Sequence, residues 1–90
     1  MNTYLFSPGQ IVATPGALEL AEQGINLLAY LSRHLNGDWG DMDGEDRKEN
    51  NFSLKNGYRI LSAYKTRLGK LWIITEADRS ATTFLLPEEY

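Results

Sequence analysis

Ninety residues, with ten aromatics and 42% hydrophobic content, suffice for one domain (residues 1–90) around a small core; a chain this short buries only about 60% of the surface its unfolded form exposes. The lack of cysteine excludes a disulfide framework, a thiol nucleophile and thiolate-bound zinc, and a single histidine leaves no tetrahedral nitrogen or sulfur metal site to assemble. The net charge is −3, no secretory leader pattern opens the chain, and no apolar run approaches the ~20 residues that span a bilayer, so a cytoplasmic protein without membrane contact is expected.

Residues 9–14, "GQIVAT", form a β-branched run that reads as a strand. A helix follows, with Thr14 as cap, Pro15 at its first position and Gly24 at its stop. Leu18, Ala21 and Ile25 fall at helical spacing and predict its buried stripe. A second helix starts at Asn26 and ends at Gly37, with Leu27, Leu28, Leu31 and Leu35 as one apolar stripe. Residues 36–45 are rich in glycine and aspartate and read as a loop. Asp43 caps a third, mostly polar helix that stops at Asn56-Gly57, with Phe52 as its anchor.

The pattern then changes period. Residues 58–66 alternate Tyr58, Ile60, Ser62 and Tyr64 with Arg59, Leu61, Ala63 and Lys65. Turns at 67–70 and 77–81 separate this strand from a central strand at 71–76 and a third at 82–86, which Pro87 ends. Together these predict an α+β fold. An N-terminal strand and two to three helices pack on a three- to four-stranded, mainly antiparallel sheet with a C-terminal β-meander, the first strand joining its edge.

Charge is segregated along the chain. Residues 1–46 carry seven acids and Arg33; residues 47–70 carry seven bases and Glu49; residues 71–90 carry four acids and Arg79. The simplest outcome is that the first two blocks neutralise each other across the fold; the other is a basic binding face. The switch falls inside "RHLNGDWGDMDGEDRKENN", residues 33–51, which also holds the one histidine and Trp39. A calcium loop needs acids at its first, third and fifth positions, glycine at the sixth and glutamate at the twelfth. Gly44 at the sixth puts Trp39 first and Asn50 twelfth, and starting at Asp41 puts Phe52 twelfth, so neither register fits. The phosphate-binding loop and the nucleophile elbow are also missing, and no metal or cofactor is implied.

His34 lies at the shoulder of the second helix's stripe, in its last turn, where exposed carbonyls favour a protonated ring. It reads as a partly buried capping residue, or as a base or phosphate contact. Trp39, between two glycines with Asp38 and Asp41 nearby, either folds over the core or faces a partner. Arg59, Lys65 and Arg67 fall on the strand face opposite Tyr58 and Tyr64, where they either keep an open sheet hydrated or meet phosphate.

The stretches "GQIVATPGALE", "RHLNGDWGD", "SLKNGYRILSAYKT" and "KLWIITEADRSATTFLLPEEY" cover nearly the whole chain. Over them it resembles a family of small bacterial plasmid-related proteins, of unknown function, carried on plasmids and mobile elements. The resemblance implies a bacterial cytoplasmic α+β protein and brings no activity or catalytic residue. Restriction-modification labels in that family are discounted, since this chain is too short for a methyltransferase domain. The first functional expectation is a small non-enzymatic accessory or regulatory protein that meets a protein partner around His34, Asp38, Trp39 and Asp41. A second is a metal-independent RNA-cleaving domain with His34, Arg59, Glu76 and Arg79 as its acid, base and cations, by fold analogy alone. A third is an acidic mimic of nucleic acid. Convergence of His34 with the arginines and Lys65 in one concavity would favour the nuclease, and scatter the accessory protein.

Overall fold

A computed structural model describes residues 4–90. The elements run β1 (Gln10–Ala13), α1 (Pro15–Glu22), α2 (Leu27–Leu35), α3 (Gly44–Asn56), β2 (Ile60–Thr66), β3 (Gly69–Thr75) and β4 (Ala81–Leu85), with a closing 3₁₀ turn at Pro87–Glu89. The strands form one mixed sheet in the order β1-β4-β3-β2. β2, β3 and β4 make the antiparallel meander, and β1 pairs parallel with β4, so the fold is α+β as expected. No helix among the described residues is long and apolar enough to cross a membrane.

The helix boundaries follow from local chemistry. Thr14, Asn26 and Asp43 each turn a side-chain oxygen onto a backbone N–H of the first turn, those of Ala17, Ala29 and Asp46. Gly57, at φ 74°, closes α3 in the left-handed conformation. The end of the chain returns to the start of α1. Glu89 accepts from the Thr14 hydroxyl at 2.6 Å and from the Gly16 N–H at 3.0 Å, placing a carboxylate where the helix dipole favours one.

The core lies between the helices and one sheet face. Ile60, Ser62 and Tyr64 of β2, Leu71, Ile73 and Thr75 of β3, and Thr82 and Phe84 of β4 are buried on it. Ala17, Leu20, Ile25, Leu31 and Leu35 pack above them. On the opposite face Tyr90 folds back onto Trp72, with ring centroids 5.7 Å apart, beside buried Ile74 and Leu85.

Three packing expectations are corrected. α1 buries Ala17 and Leu20, whereas Leu18 and Ala21 face out. The Thr14 N–H donates to the Phe84 carbonyl at 3.0 Å, so α1 starts directly off the sheet and this junction selects the face it turns inward. On α2, Leu31, His34 and Leu35 are buried and Leu28 is exposed. On α3, Phe52 is 57% exposed and stacks on Tyr58, while Asn50 and Ser53 are buried. α3 meets the edge of β2, where polar groups need partners, instead of a sheet face.

Candidate functional site

Residues 33–51 close the outer edge of β2. The alternation of the β2–β3 ladder leaves the backbones of Leu61 and Ala63 facing outward. Asn50 takes both groups of Leu61: its amide nitrogen donates to the carbonyl at 2.6 Å, and its oxygen accepts the N–H at 3.2 Å. Ala63 donates to the Trp39 carbonyl at 3.1 Å and accepts from the Asp41 N–H at 2.6 Å. Between these two contacts sits Gly40 at φ 80°, where a Cβ would overlap the Ala63 carbonyl oxygen, so only glycine brings the loop this close. An exposed strand edge is a template for unwanted pairing, and this loop and helix remove it.

The named residues of the loop are used inside the fold. Trp39 is 2% exposed, and its indole N–H donates to Asn51 at 3.2 Å. It covers the core and presents no surface to a partner. Asp38 pairs with Arg33 at 2.7 Å, which holds its carboxyl below the ordinary carboxylate range. Its backbone carbonyl accepts from the Tyr64 hydroxyl at 2.7 Å; burial is the main reason Tyr64 titrates as high as about 12. Asp41 lies 3.5 Å from Lys65, the one ion pair between the acidic and basic blocks among the described residues. Asp43 caps α3. Among the described residues no three His, Asp or Glu side chains gather to hold a metal.

His34 is fully buried, and its ring is held from both sides. Nδ1 lies 2.5 Å from the Ser62 hydroxyl and Nε2 lies 2.8 Å from that of Thr75. Thr75 continues to Thr82 at 2.7 Å, and Thr82 donates to the Pro8 carbonyl at 2.7 Å. A carbonyl only accepts, so the proton order of the chain is forced. Thr82 has used its proton on Pro8, so Thr75 donates to Thr82. Thr75 therefore accepts from His34, which carries a proton on Nε2, and in a neutral ring Nδ1 accepts from Ser62. The ring is neutral. Burial, then the charge of Arg79, lowers its pKa to about 3. The expected protonated capping histidine is thus corrected: its ring turns into the core, away from the helix-end carbonyls.

The cations do not converge on one concavity. Arg79 stands over the Phe6 ring, which in turn packs T-shaped against His34 with centroids 5.3 Å apart, and its charge acts on the imidazole. Its guanidinium donates to the carbonyls of Ser53, Tyr58, Glu76 and Ala77 at 2.8–3.1 Å, tying α3 and the start of β2 to the β3–β4 turn. Arg59 binds the Tyr90 hydroxyl and stands over its ring. Arg67 reaches around to the Gln23 carbonyl at 2.6 Å. Glu76, just past β3, is exposed, and its carboxylate has no bond or ion pair among the described residues. Both ring nitrogens of His34 are taken by Ser62 and Thr75, and both terminal nitrogens of Arg79 are turned onto backbone carbonyls.

An exposed apolar surface lies elsewhere, in a groove formed by β1, α1 and the start of α2. Ile11 (43% exposed), Val12 (41%), Leu18 (51%) and Leu28 (69%) line it, with Ala13 and Ala21 as its small residues. Sequence periodicity assigned Leu18, Ala21 and Leu28 to the core, which is why this surface escaped notice; the signal for it was a stripe too wide for helices this short. Compared with protein-family models, with curated proteins and with solved structures, the chain matches none.

Proposed function

We propose that this chain is a small non-enzymatic accessory or regulatory protein of bacterial mobile elements, working inside the cell through protein contacts. The observation that carries the reading is the apolar groove at β1. Ile11, Leu18 and Leu28 gather there beside Ala13 and Ala21, and none of the three large side chains belongs to the core cluster. Isolated exposed leucines are ordinary, but a contiguous patch of them on a small protein marks an interaction surface. Support also comes from His34, whose two ring nitrogens are both bonded inside the core, and from Arg59 and Arg79, which are turned to separate partners within the fold. The surface first expected, around Trp39, gives way to the opposite edge of the sheet. The mobile-element context rests on the sequence resemblance alone.

The test is affinity capture from the cells that make the protein, with the wild type beside a Leu18→Asp, Leu28→Asp double variant. Both side chains are more than half exposed, so the variant keeps its core. The reading expects a protein retained by the wild type and lost with the variant. Equal capture by both, or cleavage of RNA by the purified chain, would contradict it.

A further inference from the structure

The two edges of the sheet are treated differently. On β2 the outward groups of Leu61 and Ala63 are all bonded, by Asn50, Trp39 and Asp41. On β1 the N–H groups of Gln10 and Thr14 donate to the Ser80 and Phe84 carbonyls, so the parallel ladder engages alternate residues, and Ile11 and Ala13 turn their backbones away from β4. Among the described residues nothing meets those groups. β1 itself carries no lysine and no proline, and among the described residues no loop covers its edge.

We infer that the β1 edge joins a second copy of this chain, the two β1 strands pairing antiparallel about a two-fold axis at Val12 to make one eight-stranded sheet. This rests on the protein-contact reading above and names the occupant of its groove. The register is self-complementary. With the axis at Val12, Ile11 of each copy stands opposite Ala13 of the other, and a directly opposed hydrogen-bonded pair exchanges two bonds. The outward groups of Ile11 and Ala13 on both copies are thereby satisfied, four bonds in all. Side chains fit as well. Ile11 and Ala13 pair in register with Thr82 and Phe84, whose side chains lie on the helix-covered face. The large Ile11 of one copy then sits beside the small Ala13 of the other, at the mouth of the groove. A two-fold perpendicular to the sheet keeps both sets of helices on one side, so Leu18, Ala21 and Leu28 close over the joint. No charged residue lies between Gln10 and Leu18, so the strands meet without like charges opposed. An uncharged, unguarded edge suits self-pairing better than it suits a strand selected by charge.

Sedimentation velocity of the whole chain over a wide concentration range tests this, with Ile11→Pro and Leu28→Asp as variants. Proline at 11 removes an outward donor that the β1–β4 ladder does not use, and Leu28 is outside the core cluster. The wild type should pass from monomer to dimer, and each variant should raise the dissociation constant at least ~10-fold, roughly 1.4 kcal/mol or more. Melting of the dilute monomers should be unchanged. A wild type that stays monomeric throughout overturns the dimer, as does a dimer unaffected by both variants. Either result leaves the wider reading to its own test, the capture comparison, which fails independently if the groove variant retains the same proteins.

Discussion

His34 illustrates how a single side chain can look chemical in the sequence and be structural in the fold. Its neutrality sets a pH signature. The ring titrates near 6.5 when unfolded and near 3 when folded, so between those values the unfolded state binds more protons. Stability from this site is therefore complete above about pH 6.5 and declines as pH falls, by about 1.4 kcal/mol per pH unit. Urea unfolding should lose about 2 kcal/mol between pH 6.5 and 5, and a His34→Gln variant should lose little over the same range. A wild-type slope as flat as the variant's would show that the ring is not buried neutral. Arg79 gives a second test. Its φ of 60° disfavours any side chain by about 1–2 kcal/mol, an expense offset by four carbonyl contacts. Arg79→Ala should lose the contacts and keep the strain, and Arg79→Gly should lose the contacts and relieve it. The glycine variant should be the more stable of the two in urea melts, the reverse of the usual order.

At the scale of elements, α3 and the loop before it work as an edge guard whose effect rests on few residues. Asn50→Ala would leave the N–H and C=O of Leu61 without partners, at a cost of about 2 kcal/mol, and the variant should aggregate faster at equal concentration. Gly40→Ala should be worse, because it forces the loop off Ala63 and loosens both Trp39 and the Asp41 contact. Light scattering with thermal melts checks both; an Asn50→Ala protein as stable and monodisperse as wild type would remove the guard role. Much of this architecture was legible in the sequence. Caps at Thr14, Asn26 and Asp43 and the turns of the meander act locally, over three or four residues, so sequence carries them. The face each helix turns inward does not act locally: the Thr14–Phe84 bond orients α1, and those two residues are 70 positions apart. For the same reason α3 reads as a weak helix with Phe52 as its anchor. Its buried residues, Asn50 and Ser53, are polar, and Asn50 is matched to an edge that exists only once the sheet has formed.

At the scale of the whole molecule the sheet has, among the described residues, one closed edge and one open edge. Residues 33–51 close the first, and the apolar groove lies along the second. The candidate residues at His34, Asp38 and Trp39 belong to the closed side, where they hold the molecule together, and the proposed contact surface belongs to β1. Sequence pointed to the closed side because histidine, tryptophan and aspartate mark chemistry by type, whereas an open strand edge is marked only by what fails to cover it. Residue-resolved amide hydrogen exchange, followed as protein concentration rises, tests this division most directly. The account predicts that the Leu61 and Ala63 amides are protected at every concentration, while those of Ile11 and Ala13 exchange freely in dilute solution and gain protection as the chain associates. Rapid exchange at Leu61 and Ala63, or protection at Ile11 and Ala13 that is already complete in dilute solution, would contradict it.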